Sequence, residues 1–139
     1  MEQTSLPGDG TRDVIALCLP SDVRYLGVVR LVLGGLATRI DCPVDQLDEL
    51  QLATETVISL GAPHGDAATV TVEIELGDGA VAVSVGPVGR TALNSVLRPE
   101  LDLAHVLAPL VDAVAPFERD DDHWLRLEKH FDVPSGARR

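Results

Sequence analysis

Hydrophobic and polar positions alternate in two distinct periods along the chain. After a polar stretch ending at Asp13, Ile15, Leu17 and Leu19 fall on every second residue up to Pro20, the period of a strand stopped by a proline. Ser21 offers an N-cap. From Asp22 onward Leu26, Val29, Leu33, Leu36 and Ile40 recur at three- and four-residue spacing, predicting an amphipathic helix. Gly34 and Gly35 weaken its middle by about 1 kcal/mol each relative to alanine. Close packing against another backbone is the expected compensation.

Asp41-Cys42-Pro43 ends that helix and opens another, with Pro43 in a first turn and Asp45, Asp48 and Glu49 near the positive end of the dipole. Val44, Leu47, Leu50, Val57 and Leu60 form its stripe, up to Gly61. A loop through Asp66 leads into Val70, Val72, Ile74 and Leu76, which alternate strictly with Thr and Glu. Gly77-Asp78-Gly79 supplies a left-handed turn, and Val81, Val83 and Val85 return as the hairpin partner. Leu101 to Val114 reads as a third helix, kinked or split at Pro109. Asp120-Asp121-Asp122 marks a tight turn before a closing strand carrying Leu125, Leu127 and Phe131.

The predicted order is strand, two helices, hairpin, helix, strand. It implies an α+β fold, a two-layer sandwich with a mostly antiparallel mixed sheet and helices on one face. One domain is expected over residues 14–132, with disordered tails at 1–13 and 133–139.

Composition narrows the chemistry. A formal net charge of -11 argues against nucleic acid or an anionic membrane as partner, since phosphate neutralisation needs clustered Lys and Arg, and suits a basic protein partner. Aromatic residues make up 3% of the chain, so no base-stacking platform is expected. Cys18 and Cys42 lack C-x-x-C spacing and read as small buried hydrophobes in a reducing compartment. The N-terminus shows no signal-peptide pattern, and the apolar run Leu26–Leu36 is interrupted by Arg30 and short of the roughly 20 residues a bilayer requires. A cytoplasmic location follows as the expectation.

Catalytic constellations are sparse. His64, His105, His123 and His130 are scattered without metal-ligand spacing, so no metal site is assigned. The acidic triplet at 120–122 reads as a solvated turn. Ser21, Ser59, Ser84 and Ser95 lack a G-x-S-x-G setting, and neither cysteine has an evident histidine partner.

Three stretches carry a resemblance. Tyr25-Leu26-Gly27-Val28-Val29-Arg30-Leu31-Val32 is similar to the first helix of the anti-sigma-factor and serine-kinase branch of the GHKL (Bergerat-fold) ATPases. Leu47 to Glu55 resembles the run into that family's N box. Leu110-Val111-Asp112-Ala113-Val114 followed by Trp124 to Lys129 resembles its C-terminal "L-V-D-x-V … V-x-L-x-K" pattern. The resemblance implies a regulator that holds a sigma factor until an anti-anti-sigma (STAS-type) antagonist displaces it, with Arg30 and Tyr25 on the shared partner surface. It also implies homodimerisation through the sheet and first helix as a further arrangement.

The departures bear on catalysis. The family's N box reads E-x-x-x-N; Glu55 keeps the acid, the catalytic candidate, but Ser59 stands at the magnesium-holding amide. In the D-x-G-x-G box, Pro87 replaces the aspartate that recognises adenine, and Gly89 alone survives. The glycine-rich lid is represented by Leu97-Arg98-Pro99-Glu100-Leu101, which has no glycine to form a phosphate cradle. The expectation is an anti-sigma-like regulator with a degenerate site and no cofactor. The alternative is an active ATP/Mg²⁺-dependent serine/threonine kinase that phosphorylates its antagonist, with Glu55 as base and Ser59 and Gly89 in cofactor binding. A fold retained only for oligomerisation is a third reading.

Overall fold

The computed structural model describes residues 13–62, 68–90 and 102–132. Residues 1–12 and 133–139 of the predicted tails, the lid segment 97–101, His64 and Ser95 lie outside the described residues, whereas Asp13, placed in the tail from sequence, is the first residue of a strand. Strand β1 spans Asp13–Pro20; a single 3-10 turn at Val23–Tyr25 leads into helix α1, Leu26–Ala37; α2 spans Val44–Gly61. The hairpin β2, Thr69–Gly77, and β3, Ala80–Gly86, is followed by a short α3, Asp102–Leu107, and a second hairpin, β4, Ala113–Arg119, with β5, Asp122–His130.

The five strands lie in the order β1-β2-β3-β5-β4, and every pairing is antiparallel. The two-layer α+β sandwich expected from the pattern is present. Register carries the alternation across the sheet: Ile15 opposes Ile74, Ile74 opposes Val83, Val83 opposes Leu127 and Leu127 opposes Val114. This row faces the helices, where Val29 and Leu33 of α1 and Leu50, Ala53, Val57 and Ile58 of α2 complete the core. A one-residue slip in any strand would turn its apolar set to the opposite face.

The C-terminal third departs from the sequence reading. The predicted helix over Leu101–Val114 stops at Leu107, Pro109 stands in the turn after it, and Ala113 to Arg119 form β4, a strand the pattern does not predict. Asp120 and Asp121 both have positive φ, 53° and 70°, the two-residue connection that matches the twist of adjoining strands. Pro116 is tolerated because β4 lies at the sheet edge, where a missing N–H breaks no interior ladder.

Smaller expectations are also corrected. Asp22, not Ser21, caps the 3-10 turn by accepting from the Arg24 amide, while Ser21 is buried with an unpartnered hydroxyl. Gly34 faces the Gln51 side chain and Gly35 faces open space, so the glycine pair makes no close backbone contact. Val44 and Leu60 are exposed; the buried face of α2 is Leu50, Gln51, Ala53, Thr54, Val57, Ile58 and Gly61. Cys18 is exposed and Cys42 half-buried, so Cys18 is no core residue.

The sheet face away from the helices is covered by its own long side chains. Glu73 pairs with Arg119 at 2.6 Å, and Arg126 bridges Glu75 and Glu128, each at 3.1 Å. The Arg119 guanidinium lies 4.4 Å from the centre of the Trp124 ring, which sits over Gly86 so closely that a Cβ there would overlap the indole. Gly86 is therefore required by contact.

Candidate functional site

The positions singled out in sequence converge on two places. The first is the seam between α1 and α2. These helices run antiparallel over the sheet, and residues 30 on one and 51 and 55 on the other face each other across the seam. Arg30, the one charged residue of α1, reaches Glu55 in a two-pronged fork: Nε donates to Oε2 at 2.8 Å and Nη2 to Oε1 at 3.0 Å. Nη1 donates to Gln51 Oε1 at 3.1 Å, and Gln51 Nε2 donates back to the Arg30 carbonyl at 2.9 Å. Arg30 thus joins both residues, through a reciprocal pair of hydrogen bonds with Gln51 and a separate fork onto Glu55.

The charges are unevenly shielded. The Arg30 side chain is 48% exposed and that of Glu55 only 18%. The Glu55 hydrogen bonds, followed by its charge, hold the Arg30 guanidinium above its ordinary range. Both carboxylate oxygens of Glu55 are thus engaged by an arginine rather than directed at a reacting group. Ser59, one turn further along α2, is half-buried. Tyr25, at the entry to α1, is half-buried beneath the Arg24 guanidinium, 5.7 Å from the ring centre. Around this seam the outward helix faces carry large apolar side chains, Leu31 at 76% exposure and Leu52 at 48%.

The second place is the segment after β3. A cis peptide joins Gly86 to Pro87. The Val88 amide donates to the His123 carbonyl at 2.8 Å, and the Gly89 amide donates to the Gly61 carbonyl at 2.7 Å. Gly89 thereby ties the end of α2 to the sheet. Its N–H, the group a nucleotide would need from a loop glycine, is spent on a helix C-terminus. Arg98 of the lid segment lies outside the described residues, as does the remainder of that loop.

No group of three or more His, Cys, Asp or Glu side chains suited to a metal occurs among the described residues. No described helix is long and apolar enough to cross a membrane.

Two polar features escaped the sequence reading. Gln51 occupies a buried position on the core-facing side of α2, and its polarity there was the available signal. Lys129 alternates in phase with Leu125 and Leu127, so it points among the helices, where Nζ donates to Glu49 at 2.5 Å and to the Leu110 carbonyl at 2.6 Å. An ammonium placed in phase with core leucines predicts a buried ion pair, because burial without a partner would be prohibitive.

The chain matches no protein-family model. It is similar to the serine-protein kinase RsbW of Bacillus velezensis, with 31% identity over 52 residues. That stretch is 37% of this chain and spans 32% of the relative's length.

Proposed function

We propose that this protein is an anti-sigma-like regulator that binds a sigma factor, an anti-anti-sigma antagonist or both through the α1 surface around Arg30, and works without nucleotide chemistry. The observation that carries the proposal is the fork between Arg30 and Glu55: the residue in the position of the family's catalytic acid serves as the counter-ion of the partner-facing arginine. The hydrogen bond from the Gly89 amide to the end of α2 supports the same reading. The similarity to RsbW supports the family assignment on which the partner class depends.

The chemistry of the surface fits a protein partner. Leu31 and Leu52 supply exposed apolar area beside a planar guanidinium, the combination that anchors interfaces. The chain's acidic excess steers a basic partner towards it. Purified protein mixed with the sigma factors and STAS-type proteins of its own genome should retain at least one of them, and Arg30→Ala should weaken that complex about ten-fold or more. Retention unchanged by Arg30→Ala would show that the assigned surface is wrong.

The kinase reading retains one specific support, since the matched relative is named a serine-protein kinase. Transfer of labelled phosphate from ATP to a captured antagonist, abolished in Glu55→Ala, would establish it.

A further inference from the structure

Arg30 has five N–H bonds, and Glu55 and Gln51 engage three of them. Two remain on an arginine whose side chain is 48% exposed. The carboxylate of Glu55 occupies the guanidinium edge that an incoming carboxylate or phosphate would use, in the same parallel two-bond geometry.

We propose that Glu55 is a built-in occupant of an oxyanion site at Arg30, which closes that site to carboxylate- or phosphate-bearing groups until Glu55 is displaced. The inference rests on Arg30 being partner-facing. Its test, however, needs no partner.

The surroundings make the closure selective. Gln51 is buried and holds the Arg30 backbone through the carbonyl, so Arg30 opens only by rotation of its side chain. Displacement leaves Glu55, 18% exposed, without its cation, and a small inorganic anion such as phosphate, with no apolar contact to add, returns too little to offset that loss. A partner that also covers Leu31 and Leu52 adds apolar contact to the exchange and can complete it. Asp48 adds a weaker negative charge to the environment of Arg30 and reinforces the exclusion of anions. The contact therefore works as an autoinhibitory latch: it suppresses capture of free anions and reserves Arg30 for a ligand that binds the whole helix face.

The experiment uses the full chain with 15N-labelled arginine and follows the Arg30 Nε–Hε signal, assigned by its disappearance in Arg30→Lys. Inorganic phosphate is titrated at constant ionic strength. In the natural protein the signal should stay fixed across the millimolar range. In Glu55→Gln it should move with a saturable curve, at an apparent affinity about ten-fold or more above any response of the natural protein, the factor expected from one charge-assisted hydrogen bond. Equal responses in the two proteins, or no response in Glu55→Gln, would overturn the latch. Glu55→Asp, which keeps the charge but shortens the reach, provides a second variant and should give an intermediate response; a curve identical to the natural protein's would also count against it. Failure to retain a sigma factor or antagonist would remove the partner reading and leave this result standing, so the two failures are distinguishable.

Discussion

Removing either member of the Arg30–Glu55 pair should destabilise the protein unequally, and the inequality follows from exposure. Arg30→Ala leaves a carboxylate that is 18% exposed without its cation and takes the donor from the Oε1 of Gln51, itself buried. Glu55→Gln returns a 48% exposed guanidinium to water with little loss of solvation. A hydrogen bond to a charged group contributes about 1.5–3 kcal/mol, and half-exposure of one partner reduces this through screening. The expected costs are about 2 kcal/mol for Arg30→Ala and about 1 kcal/mol for Glu55→Gln, with a coupling of about 1 kcal/mol in the double-mutant cycle. Urea denaturation at physiological salt measures all four corners, and unchanged m-values would confirm that the unfolded state is not the source. A coupling below about 0.2 kcal/mol, or Glu55→Gln costing more than Arg30→Ala, would show that the two side chains do not depend on each other in this way.

Other perturbations probe the scaffold. Gly86→Ala forces a methyl into the Trp124 ring, against which the Arg119 guanidinium also packs, so a loss of about 2 kcal/mol or more is expected by denaturation, with a changed tryptophan emission. Lys129→Met keeps the buried stem but strands the Leu110 carbonyl and frees Glu49 to water; it should cost about 1–2 kcal/mol, and a neutral result would show that the ammonium contributes nothing net. Burial pushes the Cys42 thiol up from its ordinary value of 9.0, only partly opposed by Lys129, whereas Cys18 is exposed. Iodoacetamide at neutral pH should therefore label Cys18 well before Cys42, read by peptide mass spectrometry, and the reverse order would contradict the assigned environments.

The parts of the fold set by local pattern were readable from the chain. The strict alternation of Val70, Val72, Ile74 and Leu76 and the Gly79 turn gave the central hairpin, because both signals act within a few residues. Strand β4 was not readable in this way. Val114, with Leu110 and Val111 before it, fits helical spacing equally well, and only pairing with β5 through the Asp120–Asp121 turn selects the extended form. Cys18 was misplaced because an alternating strand shows which residues share a face but not which face is covered. Burial on the second sheet face depends on ion pairs such as Arg119 to Glu73, 46 residues apart, which no local period encodes.

The site was partly readable. Arg30 is marked from sequence as partner-facing, and Glu55 and Gly89 as parts of one nucleotide site. That Arg30 and Glu55 satisfy each other follows from the antiparallel packing of two helices, and their 25-residue separation gave no indication of it. Gln51, which holds both the side chain and the backbone of Arg30, differs from its apolar neighbours only in polarity.

Calorimetric titration of the purified protein with Mg-ATP and Mg-ADP decides whether the proposed partner-binding regulator works without nucleotide. No heat of binding and no thermal stabilisation are expected at millimolar nucleotide. Saturable binding in the micromolar range, lost in Glu55→Ala, would contradict that expectation and restore the kinase reading.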